Sequence, residues 1–549
     1  MTRADAPAPP GYAPAVRTDQ RPRPTTSRTA FALACLVAAI GAAPHALAQT
    51  VAPFERAHVS TDYWAEGADV GDFDGDGVMD VTSGPWWWRG PDFAVQHALY
   101  AGTSHPLLSY SPHFTSHVFD VDGDGDDDVV AIRFPGLAAS WFENPGAGVG
   151  AWNEHLVFAS VGSESPAFVD LVAGGALELL CAVGTDVGYL TPDPIDPLAP
   201  WTFHTIFATP FPLQFLHGLG AGDVNGDGRS DVLLGAGWLE QPASLAGDPP
   251  WTFTTWSFGS LAGSQMFTTD VDGDGDNDLV SSIDAHGYGL SWFESSGGAL
   301  PTFTEHTILP RTFAPPATGQ FSQLHALALA DIDGDGLDDI VSGKTYLAHN
   351  GTDPGAFDPA LLCWFRLDRS TAPPTFEQHV VDSDSGVGRQ VVVRDVNGDA
   401  RPDIVVGNKK GVLVFERSQI WSNVASLTYA AGGAQVLELD AGLALANGIY
   451  LVAGTLSGTS PGTTLPAPGG PLHLPINQDV YTQVLLAGLN GSTFVEFFGF
   501  LDANGRGHAT LAVPPGLVLP PLTLHHAFVA WDALGQLKFA SHAQSLALN

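Results

Sequence analysis

The feature that most limits the possible folds of this chain is an Asp- and Gly-rich nonapeptide that recurs along its first 400 or so residues. Each intact copy places Asp or Asn at positions 1, 3 and 5, Gly at position 4 and Asp at position 9. Six intact copies begin at Asp72, Asp120, Asp223, Asp270, Asp331 and Asp395. A degenerate copy begins at Asp170, with Glu178 at its ninth position. Start-to-start separations of 47 to 64 residues predict a repeat protein in which each repeat is one supersecondary unit.

Short strand-like segments follow each copy in a fixed order. An aliphatic run such as Val129-Val130 comes first, and a Trp-Phe-Glu type segment such as 141–143 comes next. A third segment carries an aromatic residue, a His and an aliphatic residue, and Thr254 replaces the His in one repeat. These histidines, which we interpret as packing residues of an outermost strand, are His58, His97, His155, His204, His306 and His379. Turn residues between β-branched and aromatic runs predict short antiparallel strands.

The order of the repeats is offset in a way that predicts ring closure. The first His segment precedes every Asp-rich loop, and the last repeat ends near Phe415 without one. Phe54 to Val59 should therefore supply the missing outer strand of the last repeat, and this closure leaves no open sheet edge. We predict an all-β fold: a seven-bladed β-propeller closed by its N-terminal strand, followed by a β-sandwich-like domain of about eight strands. The predicted boundaries are 1–48 for an export signal with its extension, 49–418 for the propeller and 419–549 for the sandwich.

Composition and the N-terminus limit the compartment and the partners. Arg21, Arg23 and Arg28 precede an apolar run at 29–43, and 46–48 read Ala-Leu-Ala, a pattern typical of a cleaved export signal. We therefore expect a secreted protein, either extracellular, on the cell surface or periplasmic, without a transmembrane segment. The formal net charge of −38 with only 21 Lys and Arg argues against nucleic acid and anionic lipid as partners. Cys181 and Cys363 lie in different repeats and predict neither a disulfide framework nor a thiol active site.

The Asp-rich loops have the chemistry of calcium sites. Side chains at positions 1, 3 and 5, the carbonyl at position 7 and the carboxylate at position 9 can surround one ion, and hard oxygen donors favour Ca²⁺. Strands flank the loops and no Glu occupies position 12, so an EF-hand is excluded. We expect about six structural Ca²⁺ ions. The predicted ligands are Asp72, Asp74, Asp76, Val78 and Asp80; Asp120, Asp122, Asp124, Asp126 and Asp128; Asp223, Asn225, Asp227, Arg229 and Asp231; Asp270, Asp272, Asp274, Asp276 and Asp278; Asp331, Asp333, Asp335, Leu337 and Asp339; and Asp395, Asn397, Asp399, Arg401 and Asp403.

These loops and their flanking strands resemble FG-GAP/VCBS repeats, as found in integrin α-chain propellers and in many secreted bacterial proteins. The resemblance covers about residues 50–418 and implies a propeller with its ions on the face opposite the usual ligand surface. Segments such as 218–228, 285–290 and 321–325 look like a bacterial subgroup. That subgroup is more loosely similar to the propeller of aldos-2-ulose dehydratase, a sugar lyase-type enzyme.

The end of the ring opposite the Asp-rich loops should carry different chemistry. The residues six positions before each loop are Glu66, Phe114, Glu164, His217, Ser264, His325 and Arg389. Loops between the second and third strands add Trp87, Arg133, His286, Tyr288, Lys344, His349 and Lys409. A mixture of imidazole, cationic and aromatic side chains suits a sugar or uronate. The insertion at 344–361 is longer than its counterparts and is a candidate for specificity.

Two main functions follow from this surface. The first is carbohydrate recognition, with Glu66, Trp87, Arg133, Tyr288, His349, Arg389 and Lys409 as candidate ligand-binding residues. The second is a sugar lyase or dehydratase, with His217, His286, His325 and Lys344 as candidate catalytic residues, because such groups can remove a proton α to a carbonyl. An integrin-like adhesion role is a third alternative.

Overall fold

The computed structural model describes residues 52–549 apart from 147, 173, 260–262 and 312–318, and the predicted export signal lies outside these residues. Short antiparallel strands dominate the described part of the chain, and the predicted all-β class is confirmed. The strands form where β-branched and aromatic runs alternate with Asp, Gly and Pro turns, as their propensities require.

Up to Arg417 the described residues form seven four-stranded antiparallel units, which we call blades 1 to 7. β1 (Phe54–Ser60) comes first in the chain and belongs to blade 7. Blades 1 and 2 contain β2 (Asp69–Gly71), β3 (Asp80–Ser83), β4 (Trp86–Arg89) and β5 (Val95–Ala98), then β6 (His113–Phe119), β7 (Asp128–Arg133), β8 (Leu137–Glu143) and β9 (Asn153–Val161). Blades 3 and 4 contain β10 (Ala167–Val169), β11 (Glu178–Val183), β12 (Asp186–Thr191) and β13 (Thr202–Ala208), then β14 (Leu219–Gly222), β15 (Asp231–Leu234), β16 (Gly237–Glu240) and β17 (Thr252–Thr255).

Blades 5 to 7 repeat the same order. Blade 5 contains β18 (Gln265–Thr269), β19 (Asp278–Ser282), β20 (Leu290–Ser295) and β21 (Phe303–Leu309). Blade 6 contains β22 (Leu327–Ala330), β23 (Asp339–Gly343), β24 (Leu362–Asp368) and β25 (Thr375–Asp382). Blade 7 contains β26 (Val392–Arg394), β27 (Asp403–Asn408) and β28 (Gly411–Arg417), and β1 pairs with β28 as its outer strand. The N-terminal strand therefore completes the last blade.

The innermost strands approach one another closely. β14 and β18 pair in parallel, which joins blades 4 and 5 into one hydrogen-bonded sheet. A Cβ atom at Gly220 in β14 would overlap the carbonyl oxygen of Met266 in β18, so only glycine allows this backbone approach. Isolated parallel bridges join Ser163 to Leu216 and Thr345 to Val387. The start of each inner strand is therefore placed close to its neighbours, at one end of the ring.

The Asp-rich loops connect the first and second strands of each blade, at the other end of the ring. Their ninth residue has the same role in each intact copy. In the 120–128 loop, one carboxylate oxygen of Asp128 accepts the N–H of Val121 and the other accepts the N–H of Asn144, at the end of the third strand. Asp80, Asp231, Asp278, Asp339 and Asp403 repeat this pattern. This carboxylate therefore fastens the loop to the third strand.

The histidines of the outer strands pack as predicted. His306 stacks on Trp292 with ring centroids 4.3 Å apart, and His379 stacks on Trp364 at 4.5 Å. His97, His155 and His204 stack in the same way on the third strands of their blades. Buried tryptophans beneath these rings form the cores between blades. The packing interpretation of these residues is confirmed.

Residues from 420 onward form separate sheets around their own core. One sheet contains β29 (Ile420–Ser422), β31 (Gly433–Asp440), β35 (Phe494–Val495) and β37 (Arg506–Val513). The other contains β30 (Ser426–Leu427), β32 (Ile449–Thr455), β36 (Phe498–Phe500), β38 (Leu522–Trp531), β39 (Leu537–Ala540) and β40 (Gln544–Leu548). A hairpin of β33 (Thr463–Leu465) and β34 (Leu472–Leu474) and a helix α1 (Val480–Ala487) complete the described elements. The two sheets contain ten strands among the described residues, more than the eight or so expected.

The sandwich packs on the Asp-loop end of blades 6 and 7. Its Asp440 is buried, and its carboxylate lies 3.5 to 3.7 Å from nitrogens of Arg401, Arg417 and Arg506. Arg506 also donates to the carbonyl of Asp333 in the blade 6 loop. Three guanidinium groups thus surround one buried carboxylate at this interface.

Candidate functional site at the mouth of the ring

Several residues six positions before the Asp-rich loops converge, as the repeat predicted, and we call this end of the ring the mouth. Arg389 is buried there, with its Nε 3.2 Å from the carboxylate of Glu164 and its guanidinium 5.8 Å from the Phe114 ring centre. The Arg389 backbone N–H donates to the carbonyl of Glu66. Burial disfavours the charge of Arg389, but the carboxylates of Glu164 and Glu66 raise its pKa. Arg389 of blade 7 thus contacts residues of blades 1, 2 and 3.

Three imidazoles from blades 4, 5 and 6 meet beside this ion pair. The ring centroids of His217, His286 and His325 lie 5.0 to 5.3 Å apart. Burial, with the nearby positive charge of Arg389, lowers the pKa of His217 and His325 well below the usual range. Burial and His349 lower the pKa of His286. The cluster therefore consists of neutral rings at neutral pH.

A hydrogen-bond network extends this cluster into the blade 6 insertion. Asp353 lies 3.2 Å from Nδ1 of His286 and 3.1 Å from Nδ1 of His349, and these two rings stack with centroids 4.2 Å apart. Gln323 donates to Asp353 and accepts from Nζ of Lys344 at 2.7 Å. Lys344 is fully buried, and burial lowers its pKa to about 8. Lys344 is therefore linked to the histidines through Gln323 and Asp353 rather than by direct contact.

The insertion at 344–361 crosses the mouth. The backbone N–H of His349 donates to the hydroxyl of Tyr110 in blade 2, and Nζ of Lys409 in blade 7 donates to the carbonyl of Leu347. Leu347, His349 and Asn350 all have positive φ, a conformation that is strained for a residue such as Leu347. His349 keeps 43% of its side-chain surface exposed and His286 keeps 25%. A ligand that approaches the mouth would therefore meet these two rings first.

An aromatic group that the sequence interpretation missed lies next to the insertion. Tyr110, Phe114, Phe134 and Phe215 form consecutive ring contacts, with centroids 5.2 to 6.2 Å apart. Phe215 is 41% exposed, and Lys409 lies 4.6 Å from the centre of the Tyr110 ring. Tyr110 and Phe215 lie in connections between blades. Each of those connections ends where an inner strand begins, which is the mouth. The order of the elements along the chain could therefore have identified Tyr110 and Phe215.

Two predicted ligand-binding residues lie elsewhere, which corrects their assignment. Trp87 belongs to β4 rather than to a loop, and its fully buried ring stacks on His97 at 4.3 Å. It is a core residue, because alternate residues of that strand face the interior. Arg133, at the end of β7, pairs with Glu154 of β9 at 2.5 Å. Tyr288 is buried and hydrogen-bonds Ser322, a neighbour of Lys344, so it does belong to the mouth.

At the opposite end, the Asp-rich loops bring carboxylates together. In the loops at 72–80, 120–128 and 270–278, oxygens of the first, third and ninth residues lie within 4.8 Å of one another. Burial raises the pKa of Asp80 to about 6 and that of Asp128 to about 7, with nearby carboxylates adding to the effect. Oδ1 of Asp74 is buried with no hydrogen-bond partner among the described residues. This oxygen-only donor set fits Ca²⁺.

Residues 270–342 match the family model described as FG-GAP-like repeat. This chain carries an FG-GAP-like repeat. The matched stretch runs from the Asp-rich loop of blade 5 to the second strand of blade 6. The sequence resemblance is therefore confirmed for the recurring loop-and-strand motif.

Comparison with solved structures found remote likenesses to this chain, and no curated protein matches it. Two are crystal structures of the extracellular domain of BT4673 from B. thetaiotaomicron, described as a one-component and as a hybrid two-component system. They have 10% and 9% identity and TM-scores of 0.37 and 0.36, and they cover 89% and 91% of this chain but 57% and 60% of theirs. A third is the Photorhabdus luminescens Tc holotoxin pore, with 14% identity, a TM-score of 0.30, and coverage of 75% of this chain and 19% of the other. The chain thus spans less than two thirds of each.

Among the described residues, no helix has the length and apolar character needed to cross a membrane.

Proposed function

We propose that this FG-GAP-repeat chain is an exported binding protein that recognises carbohydrate at the mouth, on a scaffold stabilised by calcium at the opposite end. The observation that carries the proposal is that the partly exposed rings of His286 and His349 lie beside the aromatic group of Tyr110, Phe134 and the exposed Phe215. Aromatic faces bind sugar rings, while imidazole and carboxylate groups bind hydroxyls, which is the usual composition of a small-molecule site. The export pattern at 21–48 supports an extracytoplasmic location.

The calcium part of the proposal follows from the donor sets. Each intact loop would hold one ion between its first and second strands, with its ninth residue also fastened to the third strand. An ion there would compensate carboxylates that repel one another at close range. Its role in this proposal is structural, because the loops lie at the end of the ring opposite the mouth.

Replacing the exposed ring of Phe215 should weaken carbohydrate binding. Phe215 has φ of 67°, and Asn tolerates this backbone conformation better than most residues, so Phe215→Asn removes the ring with little strain. We expect about tenfold weaker binding, equivalent to about 1.4 kcal/mol, in calorimetry with the best ligand from a glycan array.

Phe211 supplies the matched control for this measurement. It lies four residues earlier in the same connection and is 72% exposed. Phe211→Asn should leave the affinity unchanged. Equal affinity of the Phe215→Asn variant and the unchanged protein for every glycan that binds, or no glycan bound at all, would contradict the proposal.

A second candidate, a sugar lyase or dehydratase, is favoured by one specific observation. The pKa of Lys344, lowered by burial to about 8, lies close to the pH at which a general base works best. The neutral amine is the active form, so the rate should rise as pH increases through about 8. Lys344→Met should lower the rate by about 10²–10⁴-fold, whereas Lys410→Met, at the surface beside Asp384, should not.

The measurement for this candidate is the ultraviolet absorbance of a newly formed double bond in uronate and ketosugar substrates. A rate that falls with pH across this range, or one that Lys344→Met leaves unchanged, would exclude Lys344 as the base. Binding without any absorbance change would leave recognition as the function.

A further inference from the structure

The histidine cluster at the mouth has the geometry of a metal site that uses nitrogen ligands. One ring nitrogen from each of His217, His286 and His325 lies within 4.8 Å of the others. The three ring planes are inclined by 63° to 81° to one another, so the rings do not stack. Side chains from three different blades therefore bring one ring nitrogen each to the same place.

The state of these rings suits coordination. Imidazole nitrogens are common metal ligands, and the three side chains are largely buried, with 13% of His217, 25% of His286 and 1% of His325 exposed. His325 is 1% exposed, and its Nε2 has no hydrogen-bond partner among the described residues. A buried polar atom left unpaired is costly. An ion at the centre of the cluster would supply the missing partner.

Oxygen atoms behind the rings would orient them for such an ion. Nδ1 of His286 lies 3.2 Å from Asp353, and Nδ1 of His325 lies 3.3 Å from the carbonyl of Gln323. Nε2 of His217 lies 3.9 Å from Glu164. Metal-bound histidines usually contact a carboxylate or carbonyl through their second nitrogen. His286 and His325 thus each have one nitrogen held by an oxygen and one nitrogen available for the ion, and Nδ1 of His217 has no hydrogen-bond partner among the described residues.

We propose that His217, His286 and His325 bind one divalent transition-metal ion of the Zn²⁺ class. Three protein ligands leave an open coordination position, and here it would face the partly exposed side of His286. An oxygen donor such as a sugar hydroxyl, carbonyl or carboxylate is the class of ligand that could occupy it. The site differs from the Asp-rich loops in its donor chemistry, and its existence does not depend on carbohydrate binding.

Cobalt absorbance tests the site directly. The full chain is stripped with chelator, saturated with Ca²⁺ to fill oxygen-donor sites, and titrated with Co²⁺. We expect a visible ligand-field band that saturates at one Co²⁺ per chain and disappears when Zn²⁺ is added. His325→Gln and His286→Gln should abolish the band. Asp353→Asn should weaken Co²⁺ binding by about 10–100-fold, as expected for loss of a supporting carboxylate.

Two controls make the assignment specific. His349→Gln should keep the band, because His349 belongs to an alternative group with His286 and Asp353 rather than to the proposed ligands. His306→Gln, in the outer strand of blade 5, should also keep it. No band in the unchanged protein, a band that survives His286→Gln or His325→Gln in a folded variant, or a band lost with His349→Gln would each overturn the assignment. If His325→Gln fails to fold, the His286→Gln variant still tests the assignment, because His286 is partly exposed.

Discussion

Removal of calcium is expected to lower the melting temperature of this protein markedly, and added Ca²⁺ should restore it. Each site filled at about 100 times its Kd stabilises the folded state by about 2.7 kcal/mol, and six loops share the same donor pattern. Without the ions, carboxylates such as those of Asp120 and Asp122 lie close together, so their repulsion destabilises the fold. Thermal unfolding with EDTA, then with excess Ca²⁺, measures the effect.

Single-loop variants test whether the loops themselves cause this dependence. Asp122→Asn should reduce the increase in melting temperature that Ca²⁺ produces, because it weakens the donor set of one loop. Asp170→Asn, in the degenerate copy, is the matched control and should leave that increase unchanged. A melting curve identical in EDTA and in calcium would falsify the stabilising role of the ions.

Arg389→Met is expected to destabilise the protein by about 3–5 kcal/mol, the usual cost of breaking a buried ion pair from one side. The substitution keeps the length of an apolar side chain against Phe114 but leaves Glu164 buried without its cation. The cost arises because an unpaired buried carboxylate must either lose solvation or take up a proton. Denaturant unfolding followed by tryptophan fluorescence measures the change.

The control is a cation of the same blade whose ion pair is exposed. Lys410 lies 2.7 Å from Asp384, whose side chain is 70% exposed, so Lys410→Met should change stability by about 1 kcal/mol or less. A double variant, Arg389→Met with Glu164→Gln, should recover part of the loss. A cost for Arg389→Met no larger than for Lys410→Met would show that the ion pair does not stabilise the ring.

The fold was predictable because its information is local and repeated. The Asp-Gly loops mark the turn between the first two strands of each blade, and the offset of His58 relative to the loop at Asp72 indicates the strand that β28 lacks. Spacing alone then identified the positions six residues before each loop. Arg389, His217 and His325 meet at the mouth because each stands just before the inner strand of its blade, and the inner strands all begin at this end of the ring.

The details of the site were less predictable because they depend on contacts between blades. Trp87 was assigned to a loop, although its ring lies in the blade core against His97. The contribution of Asp353 depends on how the insertion folds across the mouth, and no periodicity specifies that path. Tyr110 and Phe215 lie in connections whose lengths vary between repeats, so the repeat pattern gave no position for these two members of the aromatic group.

The most direct test of the proposed function is a crystal structure of the protein soaked with the tightest glycan from the array. The proposal predicts ligand density at the mouth, against the ring of Phe215 and within hydrogen-bond distance of His286 or His349. Density confined to the Asp-loop end or to the sandwich, with the mouth unchanged, would contradict it.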